Sequence, residues 1–170
     1  MDITFQNIVL IVLVLLTGLS AGLCFTWANT VTTGIGRLDD FGYLNAFQQM
    51  NRTILNTTFF IVFFGPFFLN LISLYVFRNT SNSILLLLIM ASAIYFIGIV
   101  LITIFGNVPL NELLDKTDLI SASTDELRSL RERFEFKWNR YHLIRTYASI
   151  VSFLLIAISI IQITKQNIKL

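Results

Sequence analysis

Trp138, His142 and Arg145 stand at spacings of four and three, and on a helix such residues stack along one face. Arg145 can bind an anion. His142, the only histidine in the chain, can serve as a hydrogen-bonding group or accept a proton. The Trp138 indole can donate a hydrogen bond. Arg145 borders an apolar stretch, where a guanidinium is costly unless it is paired or reaches water. Asp39 and the region of Asn107 are the two candidate partners. One histidine and one cysteine, Cys24, cannot form a nitrogen and sulfur zinc site or a bis-histidine haem site, so no metal site is expected. The chain has no G-x-G-x-x-G or G-x-x-x-x-G-K-[ST] phosphate loop, and its G-x-S-x-G match, Gly18 to Gly22, lies inside an apolar helical run and not at the strand-to-helix turn of a nucleophile elbow.

The elements that must hold these residues follow from where charge is missing. Of 170 residues, 55% are hydrophobic and 13% charged, against about 25% charged in soluble domains. Mean hydropathy is +0.75. No Asp, Glu, Lys or Arg occurs in 3–36, 53–77, 79–111 or 146–164. Each run approaches or exceeds the roughly 20 residues that cross a bilayer as a helix. This excludes a soluble enzyme and a disordered chain. The net charge of +2 also excludes a nucleic-acid-binding domain, which needs a clustered basic face. The expected fold is all-α: one integral membrane domain, 1–170, built as a bundle of four transmembrane helices at about 5–27, 57–77, 84–105 and 143–162. Polar segments 28–56 and 106–142 lie between them. Of the 22 charged residues, only Arg145 falls inside an expected span.

Local signals refine this outline. Gly18 and Gly22 form a small-residue face in the first span that permits close helix approach. Asp39 or Asp40 can cap an amphipathic helix whose apolar residues Leu38, Phe41, Leu44, Phe47, Met50 and Ile54 recur at helical spacing. Pro66 predicts a kink in the second span, with Asn70 and Ser73 turned into the bundle. Gly106, Asn107, Val108 and Pro109 predict the end of the third helix. Ser123 and Glu126 form a capping box. With no Pro or Gly beyond it, one long helix is expected from there to the C-terminus, on the order of 60 Å or more in length.

Four spans put both termini on one side of the membrane and both polar segments on the other. Arg78, Lys165 and Lys169 lie on the first side and the other nine Lys and Arg on the second. The positive-inside rule therefore makes the second side cytoplasmic. That side gathers Trp27, Asn29, Arg37, Asp39, Gln48, Asn51, Asn107, Asn111, Trp138, His142, Arg145 and Thr146, and any binding chemistry is expected there.

The chain also resembles the anthrone oxygenase-like family of small four-helix membrane proteins. The pieces that carry the resemblance are 34–40 (GIGRLDD), 47–52 (FQQMNR) with Asn56, Gly65 and Pro66, 106–111 (GNVPLN), and Trp138 followed by 142–146 (HLIRT). They cover nearly the whole chain in the family's order. Thr33 departs from the family pattern, where proline commonly precedes the glycine. His142 stands where asparagine is also common. The resemblance implies a four-helix fold and the oxidation of anthrones to anthraquinones by molecular oxygen without metal or flavin, hence no cofactor. Such a reaction on an apolar phenolic substrate needs one base and donors for an oxyanion. His142 or Asp39 is the expected base. Arg145, Asn107, Asn111 and Trp138 are the expected donors, and Asn29, Arg37, Gln48, Asn51 and Thr146 complete the binding set. The expected surroundings are membrane lipid, most simply a bacterial cell (inner) membrane, with room for a homo-oligomer. The alternative is a non-catalytic membrane protein that uses the same Asn/Arg/Trp cluster to bind a lipid, a quinone or a partner helix.

Overall fold

Apolar runs of this length satisfy their own backbone only as helices. In the computed structural model, which describes residues 4–168, five helices carry the fold and no strand occurs among the described residues. They are α1 (Phe5–Ile35), α2 (Asp40–Ile54), α3 (Thr57–Val76), α4 (Asn82–Asp115) and α5 (Thr124–Ile168). All but α2 contain stretches long and apolar enough to cross a membrane, so the chain is an all-α integral membrane protein.

The helix starts are those that their capping residues dictate. The Asp39 carboxylate accepts from Gly42 N–H at 2.7 Å and opens α2. Asn56 accepts from Phe59 N–H at 3.0 Å and opens α3. At the start of α5, Ser123 N–H donates to Glu126 at 2.8 Å and Glu126 N–H donates back to the Ser123 hydroxyl at 3.4 Å, the expected capping box.

Two helices run further than their sequences suggest. α1 does not stop near Trp27. It widens into a π-helical turn at Trp27–Val31 and continues to Ile35, while the Thr32 hydroxyl donates to the Ala28 carbonyl at 3.0 Å. The Gly106–Pro109 stretch does not end α4 either. Wide turns at Phe96–Leu101 and Thr103–Asn107 shift the hydrogen-bond ladder, so Pro109 falls in the first turn of the renewed α-helix. A proline is best tolerated there, where its fixed φ suits the first helical turn. α3 likewise runs unbroken through Pro66.

The four long helices form a ring in which α1 packs on α3 and α5, and α4 packs on α3 and α5. The Tyr95 hydroxyl (α4) crosses the centre. It donates to the Phe63 carbonyl at 2.7 Å, next to Pro66, and sits 3.0 Å from the Ser20 hydroxyl on α1. Asn70 and Ser73 are buried as expected, and Ser92 joins α4 to Asn70 at 3.1 Å. Close approach of α4 and α5 requires glycine twice: a Cβ on Gly98 would collide with Ala148, and one on Gly106 would lie 2.9 Å from the Tyr141 ring. Gly18 likewise meets the Phe153 ring of α5, whereas Gly22 touches nothing.

Segments 28–56 and 106–142 pack together at the end of the bundle away from the termini. Tyr43, Leu44, Phe47, Leu114, Phe134 and Trp138 share one buried cluster. Burial, then the nearby Glu135 carboxylate, pushes the Tyr43 phenol well above its ordinary range, so it stays protonated. Arg131 ties the α1–α2 joint to α5. It donates to the Gly36 and Leu38 carbonyls, each at 2.8 Å, and pairs with Asp40 and Glu135. The opposite end is closed by Gln166, which donates to Ser81 at 2.9 Å.

Candidate functional site

Arg145 is 7% exposed and directly precedes the charge-free stretch 146–164 of α5. One guanidinium nitrogen donates to the Thr103 hydroxyl at 3.2 Å and the other to His142 Nδ1 at 2.7 Å. Its Nε–H has no partner. The Trp138 and Phe63 rings lie 5.3 Å and 5.9 Å from its central carbon, so cation–π attraction supplies part of the missing solvation. Among the described residues no Asp or Glu forms an ion pair with Arg145. The expected partner Asp39 is committed to capping α2, because the bare N–H groups of a helix start bind a carboxylate locally.

His142 is held at both ring nitrogens. Nε2 lies 3.0 Å from the Cys24 carbonyl, which can only accept, and Nδ1 lies 2.7 Å from a guanidinium nitrogen, which can only donate. These partners assign a neutral ring with its proton on Nε2. Nδ1 has no lone pair free for a substrate proton, and a buried cation beside it opposes protonation. His142 therefore positions Arg145, and its expected role as base does not match this geometry. The ring also stacks on Trp138, with centroids 4.8 Å apart and planes 14° apart. The Cys24 carbonyl lies in the last turn of α1 before the π-helical widening, and it also takes the Thr146 hydroxyl at 3.4 Å. Wide turns on α1 and α4 thus flank the residues that hold Arg145, a common place for such turns.

These groups line a cavity of about 290 Å³ between α1, α3, α4 and α5, with α2 across its end. Its wall is mostly apolar: Leu23, Cys24, Trp27, Phe59, Phe63 and Trp138 among others. Arg145, His142, Thr103, Asn51 and Asn111 supply the polar part, and Arg52, Glu112, Asp115 and Lys116 stand at the exposed end. There Arg52 pairs with Asp115 at 2.6 Å and Lys116 with Glu112 at 3.6 Å.

The expected site residues divide three ways. Asn51, Asn111, Trp138, His142 and Arg145 line the cavity. Trp138 donates its indole proton to Asn111 at 2.8 Å, so of that pair the Asn111 amide N–H₂ is left for a ligand. Asn107 and Thr146 are buried just behind the wall. Asn107 donates to the Trp138 carbonyl at 3.3 Å and so ties α4 to α5, whereas Thr146 bonds within α5 to the His142 carbonyl at 2.9 Å and reaches the Cys24 carbonyl of α1 at 3.4 Å. Asn29, Arg37, Asp39 and Gln48 are not brought to the cavity. Asn29 and Arg37 are exposed, and the buried Gln48 amide reaches the Leu114 carbonyl at 2.9 Å and fastens α2 to the end of α4.

Thr103, Glu112 and Cys24 were missed from the sequence. Thr103 and Cys24 look like ordinary residues of apolar spans. Glu112 carries a readable signal, as the first acid after a 33-residue charge-free run. Among the described residues no three His, Cys, Asp or Glu side chains gather as a metal-binding group.

No curated protein and no solved structure matches the chain. A family model for anthrone oxygenase matches residues 59–155, a stretch that holds Phe63, Thr103, Asn107, Asn111, Trp138, His142 and Arg145. The match covers more than half of the 170 residues, and the chain belongs to the anthrone oxygenase family.

Proposed function

We propose that the protein is an oxygenase that binds an apolar phenolic, anthrone-like molecule as its oxyanion against Arg145 and lets it react with molecular oxygen. One observation carries this reading: a guanidinium buried on a mostly apolar cavity, with no acid among the described residues paired to it. Such a charge is stabilised by an anion supplied from outside. The cavity, about 290 Å³, lies at the small end of the roughly 300–1,000 Å³ typical of small-molecule sites.

The chemistry balances with oxygen as the only co-reactant. Loss of a methylene proton gives an enolate whose charge is delocalised over the fused rings. Arg145 stabilises that charge where it sits on oxygen, and the Asn111 amide adds a second donor. The enolate passes one electron to O₂, and the resulting radical and superoxide combine at the former methylene carbon. The second C–H proton then leaves as the O–O bond breaks. One oxygen atom remains as the new carbonyl, and the other departs as water with this second proton and the first, returned from Glu112. His142 holds Arg145 in place, and Glu112 at the cavity mouth receives the first proton. Lipid surrounds the helices and delivers the substrate. The site end faces the cytoplasm, in keeping with its excess of Lys and Arg.

The test is aerobic turnover of 1,8-dihydroxyanthrone by purified protein in chelator-treated buffer, corrected for spontaneous oxidation. The expected result is one O₂ consumed per anthraquinone formed, with the rate lost in an Arg145→Ala, His142→Ala variant. Wild-type turnover from that variant would overturn the site assignment. No turnover above background by folded wild-type protein would favour the non-catalytic reading, in which the cluster binds a lipid or quinone.

A further inference from the structure

We infer that apolar ligands reach the cavity sideways from the bilayer, through a portal between α1 and α3 whose gate is the Phe59 ring. A second, open hollow lies on the outer face of these two helices. Leu19, Leu23, Phe59 and Val62 line it together with Ile54 and the polar Asn56, Thr57 and Thr58 at the start of α3. It shares Leu23, Ile54 and Phe59 with the inner cavity, so the two spaces adjoin at these side chains. Leu19 and Leu23 belong to α1, and Phe59 and Val62 to α3, within stretches apolar enough to lie in the membrane.

The local backbone suits a gate. Between α2 and α3 the helical path breaks at Leu55, with φ −74° and ψ 67°. Asn56 then pins the Phe59 N–H. The Phe59 backbone is thereby anchored while its ring is only half-buried. The ring stacks on Phe63 at 5.0 Å between centroids, and Phe63 itself is buried. One face of the Phe59 ring therefore rests on a fixed wall of the site, and rotation of its side chain opens the boundary. The other opening is ringed by Arg52, Asp115, Glu112 and Lys116. A neutral polycyclic molecule partitions into lipid by its apolar area and meets the side portal first.

The inference rests on the cavity as the binding site for an apolar aromatic and is independent of the oxygen chemistry. Trp27 and Trp138 are the only two tryptophans and both line the cavity, so their fluorescence reports occupancy. The experiment is stopped-flow quenching of the protein in phosphatidylcholine vesicles by 9,10-anthraquinone, which dissolves in the bilayer. A gate changes binding and release rates by the same factor and leaves Kd in place. Val62→Phe should slow both rates several-fold at unchanged Kd, and Phe59→Ala should speed binding, its Kd shifting as well because the ring is also part of the cavity wall. Gln48→Ala, which loosens α2 across the aqueous mouth without touching the cavity wall, should leave both rates unchanged. Melting curves confirm that each variant is folded. Rates that ignore Val62 and Phe59 but rise in Gln48→Ala would overturn the portal while leaving the cavity as the site. Absence of saturable quenching in the wild type would overturn both.

Discussion

Replacing Arg145 by Met separates a catalytic cation from a structural one. Taking a guanidinium out of water costs several kcal/mol even after relaxation. Here two hydrogen bonds, to Thr103 and His142, return about 1.5–3 kcal/mol each, and no carboxylate adds to them. A methionine of similar reach should therefore leave the fold as stable as before, or up to about 4 kcal/mol more stable, as found when buried charges give way to packed apolar groups. One correction applies. The variant strands His142 Nδ1, which costs about 1–3 kcal/mol, so an Arg145→Met, His142→Leu pair is the cleaner measure of the buried charge. Activity should move the other way. Loss of one donor to a developing oxyanion typically costs 10²- to 10³-fold in rate, roughly 2.7–4 kcal/mol. The assay pairs tryptophan-fluorescence melting with anthrone turnover in the same detergent. The expected pattern is a melting temperature of the double variant unchanged or raised by a few degrees, with turnover reduced at least about 100-fold. A fall of many degrees, with turnover per folded molecule close to wild type, would refute the reasoning and show that Arg145 holds the bundle together.

Other outcomes follow from the same contacts. His142→Asn should keep most of the activity, because the Asn Oδ1 can take the place of Nδ1 as acceptor for Arg145, whereas His142→Leu should lose it; an inactive Asn variant with wild-type melting would restore His142 as the base. Tyr95→Phe removes a buried hydroxyl that links three helices and should lower stability by about 1–3 kcal/mol through loss of its two hydrogen bonds, read as a lower melting temperature. Gly98→Ala should be destabilising by about 1–3 kcal/mol through overpacking against Ala148, and a second change, Ala148→Gly, should restore melting to near the wild-type value.

Much of the architecture was legible because the cues are local. Charge-free runs mark helices, since a bilayer admits few unpaired charges. Asp39 and Ser123 mark helix starts, since a capping side chain needs only the three residues that follow it. The same locality misled at Trp27 and at Gly106–Pro109. Both read as helix ends, yet wide turns let the helices continue, and nothing in a short window announces a change in hydrogen-bond register. Arg145 was legible as a charge that needed a partner, but the partner was not.

The sequence by itself determined that this is a membrane protein with four helices apolar enough to span, that its polar segments lie at one end, and that Arg145 is the charge that borders the last apolar stretch. Those conclusions need only composition, spacing and the cost of charge in lipid. The tertiary structure alone decided that Arg145 meets Thr103 and His142 and not Asp39, that Gln48 fastens α2, and that Glu112 reaches the cavity. The physical reason is rotational. A helix that is apolar on every face has no stripe to say which side turns inward, so its facing is set by packing against neighbours far away in the chain, at Gly98 on Ala148 and at Tyr95 on Ser20.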